Sequence, residues 1–178
     1  LQSLRAHGWD REISKKKNTF NFVNQGFNLR PLDISASIAM SQLQRLKKMI
    51  KIRKFNRDMI IKLLKKSPNW DNQFTFFECS KNLKPSWFSI PLLINKKYIK
   101  FKNNFLKKLE KNKIETRPII SGNFINQPAI KLHKLRFNKN NFKISQEIED
   151  RGFFIGLPTK KIKSKDFKKL TNYLLDFK

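Results

Sequence analysis

A long helical stretch from Asp33 to Lys66 constrains the fold of this chain more than any other part of its sequence. Its apolar residues recur at the spacing of one helical face, and the turn Ser67-Pro68-Asn69 ends the pattern. The members of this face are Ile50, Ile52, Phe55, Met59, Ile60, Leu63 and Leu64. The sequence therefore predicts one long helix, around which the remaining elements must be arranged.

Shorter elements follow this helix in a mixed order. Aromatic and branched residues predict strands at 74–79, 87–94, 114–120 and 152–157. Helical spacing predicts helices at 97–112, 145–150 and 165–177. Because proline cannot donate to a sheet ladder, Pro91 predicts that the second strand is an edge strand or is bulged. The whole order predicts an α+β fold, with a small sheet and helices packed against it.

The segment that leads into the long helix combines an amide, a guanidinium and a helix start. Pro31 disfavours helical backbone at Arg30, so that side chain should be held extended just before the helix. Asn28 adds a neutral donor, and a helix start offers unpaired N–H groups, so a phosphate or carboxylate is the expected ligand. A turn and a helix buried on one side is the alternative, and local pattern alone favours it.

The first turns of the helix carry small residues beside an apolar stripe. Ser35, Ala36 and Ser37 keep the backbone slim. The stripe consists of Ile34, Ile38, Leu43 and Leu46. This arrangement predicts close packing of the helix start against another element.

A second group of polar residues lies at the end of the third predicted strand. Arg117 precedes Pro118 and should be extended, and the turn Ser121-Gly122-Asn123 is rich in hydrogen-bond donors. This combination predicts a cleft for a polar, hydroxyl-bearing ligand. A strand that ends in a tight turn is the alternative, and by itself the segment favours that alternative.

Composition supports a globular chain and raises a competing function. The 178 residues carry a formal net charge of +27, which favours a basic nucleic-acid-binding domain. The 31 lysines are, however, spread in ones, twos and threes, as on a solvated face, and the sequence is rich in amino acids of AT-rich codons. No membrane span, metal site or disulfide framework is expected. Cys79, the only cysteine, is expected to be a buried thiol in a reducing cytoplasm.

Taken together, these segments resemble the C-terminal portion of the DegT/DnrJ/EryC1/StrS family. Members of that family are pyridoxal-phosphate enzymes that aminate or deoxygenate nucleotide-linked keto sugars. The matching segments run in family order along nearly the whole chain: residues 4–9, 26–43, 86–88, 114–118, 122–124, 127–128 and 152–158. An ordered set of this kind is more specific than any one of its members.

The resemblance implies a fold-type I architecture in which residues 1–30 end the large cofactor-binding domain. Residues 31–178 would form the small C-terminal domain with its long linking helix. It also implies a homodimer whose active site lies at the subunit interface. Asn28 and Arg30 would both help to bind the cofactor. Asn28 would reach the neighbouring subunit's cofactor phosphate, and Arg30 would lie beside the substrate or cosubstrate in the same cleft. Phe27 stands where the family usually has tyrosine.

The same resemblance implies that Arg117, Ser121 and Asn123 line the sugar-nucleotide side of the active site. The Schiff-base lysine, or the histidine that replaces it in the 3-dehydratase branch, would lie upstream, so this chain is expected to be an inactive fragment. The full-length enzyme would be a cytoplasmic aminotransferase, with an amino donor such as glutamate, or a 3-dehydratase of the GDP-4-keto-6-deoxymannose type. Its pathway would be surface polysaccharide biosynthesis. A non-catalytic partner domain is a further alternative.

Overall fold

The computed structural model describes residues 1–10, 21–29, 31–132 and 135–177. The chain divides into two compact units, Leu1–Lys47 and Lys48–Lys178. The long helix α1, Asp33–Lys66, begins in the first unit and ends in the second. The boundary at residue 30 that the family resemblance implies stays a prediction.

Helix α1 has the bounds that its sequence predicts. It runs without interruption for 34 residues, with Asp33 in its first turn and Lys65 and Lys66 in its last. These charges complement the positive and negative ends of the helix dipole. The chain leaves the helix in a turn in which the amide of Trp70 donates to the carbonyl of Ser67 at 3.0 Å.

In the first unit, residues 1–10 and 21–29 are joined by two isolated antiparallel bridges, Ala6↔Asn28 and Trp9↔Phe22. Gly8 has a φ of +85°, and a Cβ built there would lie 1.6 Å from the carbonyl oxygen of Asn24. Only glycine meets both conditions, so Gly8 is required where these two segments approach each other.

The second unit contains a four-stranded antiparallel sheet. Its strands are β1 Phe74–Phe76, β2 Ser89–Ile94, β3 Thr116–Arg117 and β4 Gly152–Gly156, arranged in the order β1-β2-β4-β3. Five α-helices, with short 3₁₀ segments, accompany this sheet in the described residues. The α+β prediction is therefore confirmed, although each strand is shorter than predicted.

All but one of the helices of the second unit correspond to predicted ones with shifted ends, and the exception, Pro128–Leu132, was not predicted. After the C-terminal half of α1 they are α2 Lys102–Lys111, α3 Pro128–Leu132, α4 Lys143–Arg151 and α5 Ser164–Leu175. The start of the second predicted helix is instead a 3₁₀ segment, Lys96–Phe101, capped by the side chain of Asn95. None of the described helices is both long enough and apolar enough to cross a membrane.

The position of Pro91 corrects one expectation. Strand β2 is not an edge strand, because it pairs with β1 on one side and with β4 on the other. The β1 ladder ends at the pair Phe76↔Leu92, so the residue before Leu92 has a paired neighbour only in β4, at Phe154. A proline is tolerated there because no β1 residue is paired with it.

The core of the second unit is built around stacked phenylalanines. Phe105 of α2 stacks on Phe177 with ring centroids 4.0 Å apart, and both rings lie against Phe74 of β1. Phe153 of β4 meets Phe105 edge-on at 6.0 Å. Aromatic pairs of this geometry add to the free energy of simple burial.

Asn56 connects α1 to the segment that follows β4. Its side chain is fully buried, and its Nδ2 donates to the carbonyls of Pro158 at 3.1 Å and Lys160 at 2.9 Å. Its Oδ1 accepts from the amide of Ile162 at 3.2 Å. Nearby, Nε of Arg53 donates to the carbonyl of Leu157 at 3.2 Å. The middle of α1 therefore satisfies the backbone polar groups of a segment that has no ladder partner of its own.

Cys79 is exposed, so the expectation of a buried thiol is wrong. The apolar run that begins at Phe74 predicted a strand to Cys79, but pairing with β2 ends at Phe76. The residues beyond it leave the sheet, and the thiol leaves the core with them.

A buried arginine is paired at the end of α4. Arg151 is 8% exposed, and it donates to the carbonyl of Ile94 at 3.0 Å and to the carboxylate of Glu147 at 2.5 Å. Lys96 also contacts the Glu147 carboxylate, at 2.8 Å. Hydrogen bonds from Lys96 and from Arg151 hold the pKa of Glu147 below its ordinary value.

The stabilising effect of Glu147 is expected to disappear in acid. Because its folded-state pKa is lowered, its contribution is fully present above the ordinary pKa and is lost as the pH falls through the lowered one. Glu147→Gln should therefore be less stable than the parent chain at pH 7, and the difference should vanish in strong acid. Thermal unfolding between pH 7 and pH 2 measures this, with exposed Glu110→Gln as the control. A difference that does not change with pH would contradict the assignment.

Candidate functional site

Asn28 is placed just before α1 by backbone pairing with residues 5–7. The amide of Leu29 donates to the carbonyl of Arg5 at 2.9 Å, and the amide of His7 donates to the carbonyl of Phe27 at 3.1 Å. The Asn28 side chain is exposed, and it makes no hydrogen bond to another described residue. Its amide is therefore available to a ligand. Arg30 lies outside the described residues.

An apolar surface surrounds this position and continues along the first turns of α1. We refer to it as the α1 apolar stripe: Phe27, Leu29, Leu32, Ile34, Ile38, Met40, Leu43 and Leu46, each between 41% and 75% exposed. For four of them, Ile34, Ile38, Leu43 and Leu46, the sequence predicts close packing against another element. Within the described residues they have no such cover, so the surface is apolar and open.

Arg117 lies on the edge strand β3, opposite Phe154 of β4. Its guanidinium is exposed and contacts one oxygen of the Glu115 carboxylate, with Nε at 2.9 Å and Nη2 at 2.7 Å. The two residues border a cavity of about 520 Å³ whose wall includes Phe88 and Phe154. The exposed guanidinium beside aromatic rings suits a ligand that carries both an anionic group and a flat or apolar part.

The turn that follows β3 is tight and strained. Ile120 has a φ of +33°, which branched residues rarely adopt, and its side chain is 82% exposed. The amide of Gly122 donates to the carbonyl of Ile119 at 2.8 Å. Gly122 has a φ of +56°, and a Cβ built there would lie 2.7 Å from the Cα of Glu149. The turn therefore rests directly on the backbone of α4.

Asn123 fixes this turn to α4 through its side chain. It is only 2% exposed, and its Nδ2 donates to Oε1 of Gln146 at 3.0 Å. Asn126 donates to the same oxygen at 2.9 Å and to Oε2 of Glu149 at 2.7 Å. The buried Oδ1 of Asn123 has no hydrogen-bond partner among the described residues. The half-buried side chain of Ser121 lies in the same turn.

Sequence reasoning identified the turn but missed the residues of α4 that hold it. Gln146 and Glu149 belong to a short amphipathic helix, and no local pattern indicates which of its polar side chains face another element. Lys102 reaches the end of the same helix and donates to the carbonyl of Asp150 at 2.5 Å. Burial lowers the pKa of Lys102, and the nearby Asp150 carboxylate opposes that shift.

The predicted site residues are thus distributed over both units. Asn28 belongs to the first unit, whereas Arg117, Ser121 and Asn123 belong to the second. Within the second unit, Arg117 and Ser121 present partly or fully exposed polar groups, and Asn123 supports the turn from inside. In the described part of the chain, no group of three or more His, Cys, Asp and Glu residues is placed to hold a metal ion.

Comparison with known proteins gives relatives along most of the chain. GDP-4-keto-6-deoxy-D-mannose 3-dehydratase of Escherichia coli O55:H7 is 29% identical over 168 residues, which are 88% of this chain and 42% of that protein. Lipopolysaccharide biosynthesis protein RfbH of Salmonella typhimurium is 27% identical over 139 residues, covering 78% of this chain and 31% of that protein. The chain therefore spans less than half the length of the curated relatives that it matches.

A solved structure shows the same architecture. The E coli GDP-4-keto-6-deoxy-D-mannose-3-dehydratase with bound hydrated PLP superposes with a TM-score of 0.82 at 26% identity. The match covers 98% of this chain and 46% of that one. The fold is thus that of the small C-terminal domain of a fold-type I PLP-dependent transferase, with its long linking helix and antiparallel sheet.

A family model agrees with both comparisons. The description of that family is "DegT/DnrJ/EryC1/StrS aminotransferase family", and its model matches residues 1–174. The match includes the segment before α1, the strained turn and strand β4. This chain belongs to the DegT/DnrJ/EryC1/StrS aminotransferase family.

Proposed function

We propose that this chain is the C-terminal part of a PLP-dependent enzyme that acts on a nucleotide-linked 4-keto-6-deoxy sugar in surface polysaccharide biosynthesis. The reaction we favour is 3-dehydration, in which C3 loses its hydroxyl. The observation that carries this choice is the sequence identity to GDP-4-keto-6-deoxy-D-mannose 3-dehydratase, 29% over 88% of the chain. The relationship to lipopolysaccharide protein RfbH supports the pathway.

Transamination of a similar sugar, with glutamate as amino donor, is the second candidate reaction. The family description supports it, because that description names aminotransferases. The two reactions differ in the residue at the cofactor, a lysine in the aminotransferases and a histidine in the dehydratases. Sequencing the complete reading frame, and incubating its product with PLP, glutamate and the GDP-linked 4-keto sugar, separates them, because both reactions draw the amino group and the two electrons from the amino donor. Loss of the C3 hydroxyl supports dehydration, whereas an amino sugar as the product would overturn it.

The exposed amide of Asn28 fits the phosphate of PLP. It lies just before the N-terminal end of α1, where unpaired N–H groups and the helix dipole favour an anion. PLP would supply the electron sink that carbanion chemistry at the sugar requires. We propose that Asn28 donates to the phosphate held by a neighbouring subunit and that Arg30 lies beside the substrate in the same cleft.

The α1 apolar stripe supports the homodimer that this arrangement needs. Its eight side chains remain between 41% and 75% exposed in the described chain. An open apolar surface of this kind, beside a polar ligand residue, is typical of a protein–protein interface. We propose that the stripe is covered in the assembled enzyme, which would exclude water from the surroundings of Asn28.

Arg117 and Ser121 are proposed to contact the nucleotide sugar. The guanidinium of Arg117 can form paired hydrogen bonds to a phosphate, and Glu115 orients it from one side. The Ser121 hydroxyl can donate to or accept from a sugar hydroxyl. Asn123 is 2% exposed, so we propose that it acts by fixing the turn through Gln146.

Removing the Asn28 amide is expected to weaken cofactor retention. A hydrogen bond to a charged group contributes about 1.5–3 kcal/mol, so Asn28→Ala in the complete enzyme should weaken PLP binding by about 10-fold to 100-fold. Cofactor absorbance after dialysis measures the retained PLP. Asn103→Ala, an exposed asparagine on α2, is the matched control. Equal retention in both variants would contradict the role of Asn28.

Nucleic-acid binding remains a competing function because the net charge is +27. Contacts with phosphates release counterions, so affinity that depends on charge alone falls steeply as salt rises. Titration of the protein with duplex DNA and with RNA, at salt concentrations from about 50 mM to about 200 mM, tests for nucleic-acid binding. Sequence-selective binding that survives the higher salt would favour this function over the enzymatic one.

A further inference from the structure

A second cavity lies in the unit Lys48–Lys178. Its volume is about 740 Å³, and it is formed between the middle of α1 and residues 76–87. Asn28, Arg117, Ser121 and Asn123, the predicted site residues that the structure describes, do not line it. Ligand pockets usually have volumes of about 300–1,000 Å³, so the size suits a small molecule. We refer to it as the Trp87 cavity.

The lining of the Trp87 cavity is strongly cationic. Among the described residues, five basic side chains and two carboxylates line it, a net of three positive charges. One of the carboxylates, Asp58, is already paired with Lys54 at 2.7 Å and with Arg57 at 3.2 Å. Lys62, Lys81 and Lys84 are exposed at its edge, and no ion pair joins them to other described residues. The cavity therefore favours an anion.

Most of the remaining lining is apolar. Ile50, Ile61, Leu83 and Pro85 contribute to it together with the indole of Trp87. The guanidinium carbon of Arg57 lies 4.2 Å from the centre of the Trp87 ring, a cation–π contact. An apolar wall with a few placed polar groups is the usual composition of a site for a small organic ligand.

Arg57 holds the wall in place and keeps unused donor capacity. Its Nη2 donates to the carbonyl of Phe77 at 2.7 Å, which ties the end of β1 to α1. Its side chain is 12% exposed, and its buried Nε–H has no acceptor among the described residues. The guanidinium is thus fixed by packing, so it adds a pre-positioned positive charge to the lining of the cavity.

We propose that the Trp87 cavity binds a small planar aromatic anion. Its ring would lie against Leu83 and Trp87, and its charged group would lie between Lys62 and Lys84. The inference rests on geometry within one unit and is independent of the proposed dehydration. It adds a second ligand site to a chain whose predicted contacts all lie elsewhere.

Cys79 provides a local report of occupancy. It is the only cysteine of the chain, it is exposed, and it lines this cavity. The probe is 2-naphthyl phosphate. Its two halves, 2-naphthol and inorganic phosphate, are tested separately as controls. Alkylation of Cys79 by iodoacetamide, a neutral reagent, is followed by mass spectrometry of the peptide that contains it. We expect 2-naphthyl phosphate to slow alkylation in proportion to occupancy, and each half to protect far less at equal concentration.

Two charge-reversal variants separate a specific site from general attraction to a basic chain. Lys84→Glu changes the cavity edge, and Lys168→Glu makes the same change in net charge on exposed α5. We expect Lys84→Glu to lower the affinity for 2-naphthyl phosphate by at least about tenfold. Lys168→Glu should lower it by no more than about twofold. Equal losses in the two variants, an unreactive Cys79, or equal protection by inorganic phosphate would each overturn the proposal.

Discussion

Replacing Asn56 with leucine is expected to lower the free energy of unfolding by about 3–5 kcal/mol. The side chain is fully buried and makes three hydrogen bonds, all to backbone groups of residues 158–162. Leucine has a similar volume but cannot pair with the carbonyls of Pro158 and Lys160 or with the amide of Ile162. Those partly buried groups would lose their partner, and leaving a polar group unsatisfied costs more than a hydrogen bond contributes.

Denaturant unfolding of the two proteins measures this loss. Asn103→Leu is the matched control, because Asn103 is an exposed asparagine on α2, and its substitution should change stability by no more than about 0.5 kcal/mol. Hydrogen exchange gives a second readout, since the amide of Ile162 should lose protection in Asn56→Leu. If that variant were as stable as Asn103→Leu, the segment after β4 would not depend on α1.

Replacing Gly122 with alanine is expected to destabilise the second unit by about 2–4 kcal/mol and to displace the turn at the proposed sugar site. Two effects add. The residue has a φ of +56°, which disfavours alanine, and the new Cβ would lie 2.6 Å from the Cβ of Glu149. Because the nearest atoms include the backbone of α4, the clash can be relieved only if the turn or the helix moves.

Gly156→Ala is the control for this substitution. A Cβ added there meets no atom within 4 Å, so the change in stability should be no more than about 0.5 kcal/mol. Chemical denaturation gives the stability difference, and hydrogen exchange of residues 118–126 reports the turn itself. Equal stability and equal exchange in the two variants would mean that α4 does not hold the turn.

Elements with a strong local period were predictable from the sequence. Helix α1 is confirmed at both ends because its apolar spacing and the proline-containing turn after Lys66 are properties of neighbouring residues. The sheet was predicted as an α+β component, but its strand lengths were not. A strand ends where its partner ends, and the partners of β1 and β4 lie far away in the sequence.

The predictions for Pro91 and Cys79 were wrong for the same reason, because the environment of each residue depends on pairing with distant parts of the chain. Pro91 was assigned to an edge because proline lacks a donor, yet the strand order that places β2 between β1 and β4 is not a local property. Cys79 follows an apolar run, but the ladder stops before it. The substrate-binding role of Asn123 stays a prediction, and its burial, which no local pattern indicates, arises from contact with Gln146, 23 residues away along the chain.

Because the α1 apolar stripe is exposed, polar substitutions at the two ends of α1 should have different effects. At Ile60 and Leu64 a polar substitution removes core packing, so it should be detected in any assay of folding. At Ile34, Ile38 and Leu43 the same substitution removes little packing within the chain, because these residues are at least 60% exposed. A mutational scan scored by the abundance of the folded chain would therefore classify the first three turns of α1 as tolerant. A scan scored by assembly should classify them as constrained.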